Sequence, residues 1–218
     1  EKDIDSLLDI VCSHHSTSHH IATKLVRYFV KDNPPQSLVH ETARRFRDSK
    51  GDIKTTLETI FASEEFLKFR GNKFKRPYRF LVGALRATGA DTFAHDGLLK
   101  YLTRMGQEPF QYPTPDGFPP ETLPWLGTLL WRWNFAFALA GNSIPSVKVK
   151  TGKIFNAIDC PESAGLNPSV LFQYFIGREP DKDELAILNQ FQKESGGGDS
   201  RFDELFGLIL ASPAYQRC

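Results

Sequence analysis

The chain has 218 residues, 40% of them hydrophobic and 24% charged, so it can bury a core and has the composition of an ordinary globular protein. Its 27 basic and 26 acidic side chains leave a formal net charge of +1, which argues against a dedicated nucleic-acid-binding protein. Its apolar runs are much shorter than the roughly 20 residues that cross a bilayer, so no membrane span is predicted.

Apolar residues recur along the chain at the spacing of amphipathic α-helices. The predicted apolar faces, in chain order, are Ile4, Leu7, Leu8 and Val11; Ile21, Leu25, Tyr28 and Phe29; Val39, Thr42, Ala43 and Phe46; Ile53, Leu57, Ile60 and Phe61; Leu81, Ala84, Leu85 and Thr88; Leu98, Leu102 and Met105; Leu130, Trp133 and Phe137; Leu185, Leu188 and Phe191; and Phe202, Leu205, Phe206 and Ile209. No segment shows the alternation typical of a β-strand. We therefore predict an all-α, multi-helix globular bundle.

Residues that favour helix ends punctuate this pattern. The predicted N-caps are Asp52, Asp181 and Asp199, the predicted first helical residues are Pro77 and Pro168, and the predicted glycine stops are Gly51, Gly89, Gly106 and Gly177. Asp181 and Glu184 have the spacing of a capping box, in which each side chain accepts from the other residue's backbone N–H.

Two stretches interrupt the helical pattern and are predicted to be long loops. Residues 107–124 are rich in proline and aromatic residues, and residues 141–166 are polar with scattered apolar positions. Loops of this length are more often functional or flexible than ordinary connections.

A helical unit occurs twice in the sequence. Residues 25–30 match residues 171–176, and Pro34 and Pro180 follow at the same distance. Each copy continues with a helical pattern, a Gly-Asp pair, a second helical pattern and an Ala-Ser pair. This predicts a duplication of about 45 residues, at 25–69 and 171–218. We expect a single helical domain over 1–218, with repeat-like units 17–70 and 167–218 around a central segment 77–140.

Motifs in a fixed order carry a family resemblance. They are His14-His15-Ser16-Thr17-Ser18-His19-His20 through Asn33-Pro34-Pro35, Lys73-Phe74-Lys75-Arg76-Pro77, Gly106-Gln107-Glu108-Pro109-Phe110, Pro115-Asp116-Gly117-Phe118-Pro119 and Arg132-Trp133-Asn134-Phe135-Ala136. With them, nearly the whole chain resembles the bacterial family known as domain of unknown function 1800. The chain departs from the family pattern at His15 and Phe118, where proline and tryptophan are common.

The resemblance implies a helical fold and a place in the bacterial periplasm, in the envelope or outside the cell. Members of the family are usually about twice this length, so the resemblance also implies that the chain is the C-terminal half of a longer protein or a shortened form of one. It implies no established activity.

The loop at 107–125 and the helix after it bring together amide, carboxylate, guanidinium and aromatic groups. The candidate ligand-binding residues are Gln107, Tyr112, Asp116, Trp125, Arg132 and Asn134. Aromatic faces beside such polar groups are typical of carbohydrate or small-ligand sites. The alternative is a proline-stiffened loop that packs its aromatic rings on the helices and turns at Asp116-Gly117.

Four histidines precede or begin the second predicted helix. His15 and His19 have the i, i+4 spacing that brings two imidazoles to one metal ion, and His14 is the candidate third ligand. The alternative is a helix start capped by Ser16 with exposed histidines. We predict no bound cofactor.

Two further features have ordinary interpretations. A basic cluster at 68–79 is interleaved with aromatic residues, and we expect it to be a solvated surface that pairs with acids such as Glu64 and Glu65. The cysteines Cys12, Cys160 and Cys218 form no CxxC pair, and they allow one disulfide without requiring it.

The leading prediction is a helical binding or scaffold module that contacts another protein or a surface polymer through the 107–125 loop. One alternative is a polysaccharide hydrolase or lyase with Asp116 as acid or base and Arg132 orienting an anionic group. A second alternative is a metal site at His14, His15 and His19.

Overall fold

The computed structural model describes residues 2–94, 96–159, 167–194 and 200–218. Helices dominate these residues, which confirms the predicted all-α class. The helices are α1 (Lys2–Ser13), α2 (His15–Phe29), α3 (Gln36–Asp48), α4 (Ile53–Phe61), α5 (Glu64–Lys68), α6 (Pro77–Ala87), α7 (Asp96–Arg104), the 3₁₀ helix η1 (Leu123–Thr128), α8 (Leu129–Ala140), α9 (Thr151–Ala157), α10 (Pro168–Ile176), α11 (Lys182–Glu194) and α12 (Ser200–Ala211).

The chain divides into two compact units, one of residues 1–74 with Cys218 and the other of residues 75–217. The first unit contains α1 to α5. Its core lies mainly between α2, α3 and α4 and consists of Ala22, Val26, Val30, Leu38, Val39, Ala43 and Ile60. Near the end of this unit, a largely buried ion pair joins Lys73 to Asp32.

The second unit contains α6 to α12, and its core is aromatic. Phe80, Phe135, Phe172 and Phe206 are all buried completely or nearly so. Helix α12 packs closely on α8 at Gly207, where an added Cβ atom would lie 3.0 Å from the Cβ of Ala140. Glycine at this position therefore allows the two helices to approach.

Most of the predicted helix ends are confirmed. Asp52 accepts a hydrogen bond from the backbone N–H of Thr55, at 2.6 Å, and Gly177 ends α10 in the left-handed conformation. The capping box also forms, since Asp181 accepts from the N–H of Glu184 at 2.8 Å and Glu184 accepts from the N–H of Asp181 at 2.9 Å. Asp199 lies outside the described residues.

The expectation of a single unbroken loop over residues 141–166 is wrong. This stretch contains α9 and the short strand β2 (Val147–Lys148), which pairs antiparallel with β1 (Asp91–Thr92). The Asn142 side chain stabilises the start of this stretch. It accepts a hydrogen bond from the N–H of Val149 at 2.7 Å and donates one to the Val149 carbonyl at 3.3 Å. Two-residue strands are too short to leave an alternating pattern in a sequence.

Two of the predicted apolar faces are not in the core. On α1, Ile4, Leu7, Leu8 and Val11 are more than half exposed. On α8, Leu130, Trp133 and Phe137 are exposed, whereas the buried residues of the helix include Arg132, Phe135 and Leu139. Helical spacing identified an apolar stripe in each case, but it did not show that residues 3–13 of α1 are all exposed or that a different side of α8 faces the core.

The internal duplication stays a prediction. Both copies have the same order of elements, and α3 and α11 are each 13 residues long. Ser63 caps the short helix α5 at the end of the first copy by accepting from the N–H of Phe66, and Ser212 accepts from the N–H of Tyr215 in the turn that ends the second copy. The second Gly-Asp pair, Gly198-Asp199, lies outside the described residues.

Asp91 on β1 forms an ion-pair cluster that can be tested by titration. Hydrogen bonds from Lys150 and then from Lys153 lower the pKa of its carboxyl to about 2. In the Lys150→Met/Lys153→Met variant we expect this pKa to return toward the ordinary value of about 3.9. Because the folded pKa is depressed, the stabilisation is present above about pH 4 and is lost as the pH falls toward 2.

NMR titration of the Asp91 carboxyl carbon measures this pKa directly. The Lys100→Met variant, which removes an exposed lysine of α7, serves as the control and should leave the Asp91 titration unchanged. An Asp91 pKa near 4 in the unmodified chain would contradict the cluster.

Candidate functional site

Arg132, one of the candidate ligand-binding residues, is completely buried. Its Nε donates to Oγ1 of Thr128 at 2.8 Å, and its Nη1 donates to Oε1 of Gln216 at 3.1 Å. The guanidinium also lies over the ring of Phe80, at 5.1 Å from the centroid. Burial lowers the pKa of Arg132 to about 10, so the side chain is still charged at neutral pH.

Gln107 and Trp125 are also buried, and both use their polar atoms inside the second unit. Oε1 of Gln107 accepts from the backbone N–H of Tyr78, at 2.8 Å, and thereby caps the first turn of α6. Nε1 of Trp125 donates to the carbonyl of Pro119, at 3.2 Å. These two hydrogen bonds therefore hold the 107–125 loop in place at its start and near its end.

The other candidate ligand-binding residues, Tyr112, Asp116 and Asn134, are exposed. The rings of Tyr112 and Phe118 pack in a tilted arrangement with centroids 4.7 Å apart, and the centroids of Phe118 and Trp125 are 6.1 Å apart. Asp116 stands in a turn in which the N–H of Gly117 donates to the Thr114 carbonyl.

The described contacts therefore do not gather the six candidates into one pocket. They connect Trp125 to Arg132 through Thr128, whose hydroxyl donates to the Trp125 carbonyl. Gln107, the exposed Asp116 and the exposed Asn134 are not part of this connection.

The histidine cluster is placed at the start of α2. His14, not Ser16, is the N-cap, because Nδ1 of His14 accepts from the N–H of Ser16; the predicted Ser16 cap is wrong. The ring centroids of His14 and His15 are 4.6 Å apart, and those of His19 and His40 of α3 are 5.7 Å apart. Within the described ranges, no three His, Cys, Asp or Glu side chains are placed to hold a metal ion.

Helices η1 and α8 present a row of exposed apolar side chains along one side. Its five members are between 43% and 79% exposed, and we call them the apolar ridge: Leu123, Leu126, Leu130, Trp133 and Phe137. They follow one another at intervals of three and four residues, the spacing by which helices interdigitate along a seam. Asn134, a predicted site residue, lies on the same exposed side of α8.

The end of the ridge, at Trp133 and Phe137, borders an open cleft of about 460 Å³. Trp133 and Phe137 line it from α8, Ile187 lines it from α11, and the buried Phe172 and Leu188 also contribute to its lining. Trp133 is held in place because its Nε1 donates to the Ala211 carbonyl at 3.1 Å. The cleft is therefore an apolar groove between helices of the second unit.

Three carboxylates line the cleft at the N-terminus of α11: Asp181, Asp183 and Glu184. Asp181 caps the helix, and Glu184 forms a bidentate pair with Arg178, both at 2.7 Å. These contacts lower the pKa of Glu184, chiefly through the hydrogen bonds from Arg178. The Glu184 carboxylate at this rim is therefore ionised at neutral pH.

Sequence reasoning missed most of this surface. Leu123 lies within the predicted loop, and neither Leu126 nor Ile187 belongs to any of the predicted apolar faces. The available signal was the continuation of the Leu130, Trp133 and Phe137 spacing back to Leu126 and Leu123.

A family comparison places the whole chain. Residues 1–217 match the family model described as protein of unknown function (DUF1800). The chain belongs to the DUF1800 family. Searches of curated proteins and of solved structures each gave no match. Membership in DUF1800 assigns no function to the chain.

Two further observations concern the described part of the chain. No helix there is both long enough and apolar enough to cross a bilayer. Cys12 and Cys218 are free thiols, and Cys160 lies outside the described residues.

We predict that Gln216→Ala lowers the free energy of unfolding by about 1.5–3 kcal/mol, because it removes the acceptor of a buried charged donor. It also removes the hydrogen bond from Nε2 of Gln216 to the Leu210 carbonyl. Urea denaturation measures the effect, with the exposed Gln173→Ala as the matched control. A loss no larger than that of the control would contradict a structural role for the Arg132 contact.

We also predict that Gln107→Ala lowers the free energy of unfolding by about 1 kcal/mol, since the N–H of Tyr78 loses its acceptor. The neighbouring exposed Gln111→Ala should change it by less than about 0.5 kcal/mol. Equal denaturation midpoints for the two variants would show that Gln107 does not cap α6 in solution.

Proposed function

We propose that the chain is a helical protein-binding module of an exported or envelope protein, and that the apolar ridge is its contact surface. The observation that carries this proposal is the row of five exposed apolar side chains on η1 and α8. Soluble proteins rarely leave such rows open to water, since contiguous apolar patches mark interaction sites. Removing them from water on binding is favourable.

The chemistry of the ridge favours a protein partner over a surface polymer. Three of its five members are leucines, which bind aliphatic side chains well and offer no hydrogen bonds to sugar hydroxyls. Asn134 is the polar predicted site residue on this side of α8. A sugar site requires several polar groups that converge on one ligand.

The shape of the surface favours a helical segment of that partner. The ridge extends over about 20 Å, the length of about four helical turns. A helix that lies along such a ridge can place one apolar residue per turn against it, and one of these side chains can enter the cleft beside Trp133 and Phe137.

The enzyme alternative receives less support. Among the described residues, no hydrogen bond or ion pair joins the Asp116 carboxylate to a second titratable group. Arg132, its proposed helper, is buried and donates to Thr128 and Gln216. An acid or base must reach the reacting group together with its partners.

The ridge predicts a specific loss of binding. A synthetic amphipathic helix with apolar residues at i, i+3, i+7 and i+10 and glutamines elsewhere should bind the chain, as measured by fluorescence polarisation. Leu130→Ser/Phe137→Ser should weaken this binding at least about tenfold, because apolar anchors contribute most of the affinity of such contacts.

Exposed leucine outside the ridge provides the control for this experiment. Leu67→Ser on α5 removes a side chain of 72% exposure and should leave the affinity unchanged. Circular dichroism should show that all variants are folded; we expect Leu67→Ser to keep the melting temperature of the unmodified chain and the ridge variant to lower it modestly, because Phe137 is half-buried. Absence of peptide binding, or an equal loss of affinity in the ridge variant and in Leu67→Ser, would contradict the proposal.

The cellular location is part of the proposal and follows from the family resemblance alone. Fractionation of the producing cells, followed by immunoblotting, tests it. Recovery in the cytoplasmic fraction would remove the exported or envelope assignment and leave the binding function untouched.

A further inference from the structure

We infer that the partner helix is basic at one end, with lysine or arginine side chains that lie over the N-terminus of α11. This inference rests on the proposed function and specifies the chemistry of its partner. It is carried by the juxtaposition of an apolar groove with three carboxylates at one end of it.

The net charge of the rim remains negative after its internal pairs are counted. Arg178 pairs with Glu184, and Asp181 turns toward the N–H groups of Asp183 and Glu184. Lys182 belongs to the same turn but does not line the cleft. Asp183 lines the cleft and is exposed, so its carboxylate is the group best placed to meet an incoming cation.

A carboxylate beside an apolar cleft selects among partners that bury the same apolar residues. An incoming lysine or arginine gains a charge-assisted contact there, whereas an incoming aspartate or glutamate is repelled. The apolar ridge thus supplies affinity, and the rim determines which helices are accepted and in which direction they lie.

The same charges argue against a second copy of this chain as the occupant through α1. Helix α1 has an exposed apolar face at Ile4, Leu7 and Val11 with suitable spacing. Its polar positions carry Asp3, Asp5 and Asp9 against a single Lys2, so the helix is acidic. Docking it on an acidic rim would place like charges together.

Three synthetic helical peptides test the inference. They share the apolar residues at i, i+3, i+7 and i+10 and differ only at one end, which carries lysines, glutamates or glutamines. In low salt, we expect the lysine peptide to bind about fivefold tighter than the glutamine peptide and the glutamate peptide to bind weakest. The difference should shrink as the salt concentration rises.

Charge reversal on the protein supplies the matched variants. Asp183→Lys should abolish or reverse the preference between the lysine and glutamate peptides. Glu64→Lys, which reverses an exposed first-turn carboxylate of α5 in the other compact unit, should leave the preference unchanged. Circular dichroism spectra and melting temperatures establish that both variants are folded.

The outcomes separate this inference from the proposed function. Equal affinity for all three peptides, with loss in Leu130→Ser/Phe137→Ser, would overturn the basic partner while the binding module stands. No binding of any peptide would overturn both. Self-association that is lost in the ridge variant, seen by analytical ultracentrifugation, would identify a second copy as the occupant and overturn the inference.

Discussion

The buried guanidinium of Arg132 sets the orientation of α8, on which the proposed surface depends. Desolvation of a charge in a protein core costs several kcal/mol, and hydrogen bonds to its donors offset part of this cost. Thr128 and Gln216 supply acceptors, and Phe80 supplies an aromatic face. With Arg132 turned inward, helical geometry places Leu130, Trp133 and Phe137 outward. The exposed ridge is thus the other side of a helix that is fixed by its buried cation.

In the isolated chain, the ridge keeps apolar side chains in water, although their burial would be favourable. Full burial of a leucine or phenylalanine side chain contributes about 1.5–3 kcal/mol, and Leu130 and Phe137 remain about half exposed. Helix α8 already packs on α12 at Gly207, and the ridge member Phe137 lies against this glycine, so about half of its side chain is left exposed. A partner helix is the simplest element that could recover this free energy.

Periodicity and capping chemistry predicted the helical class, most helix ends and the Asp181–Glu184 box, because these features depend on neighbours within one or two turns. The orientation of α8 was not predictable in this way. This helix is apolar on several sides, so its spacing gives a period without a direction, and arginine is ordinarily expected at the surface. The decisive acceptor, Gln216, lies 84 residues away in the sequence. The short β1–β2 pairing likewise joins distant residues and left no local pattern.

The polar motifs that suggested a ligand site contribute to the surface indirectly. Gln107 caps α6, Trp125 fastens the loop at Pro119, and Thr128 connects the Trp125 carbonyl to Arg132. These contacts hold the start of η1 and α8 and therefore the position of Leu123 to Phe137. Substitutions at these motif residues would reduce binding through the fold, whereas substitutions of Leu130 or Phe137 would reduce binding by more than their loss of stability explains. Measuring both quantities for each variant distinguishes a residue that positions the ridge from one that contacts the partner.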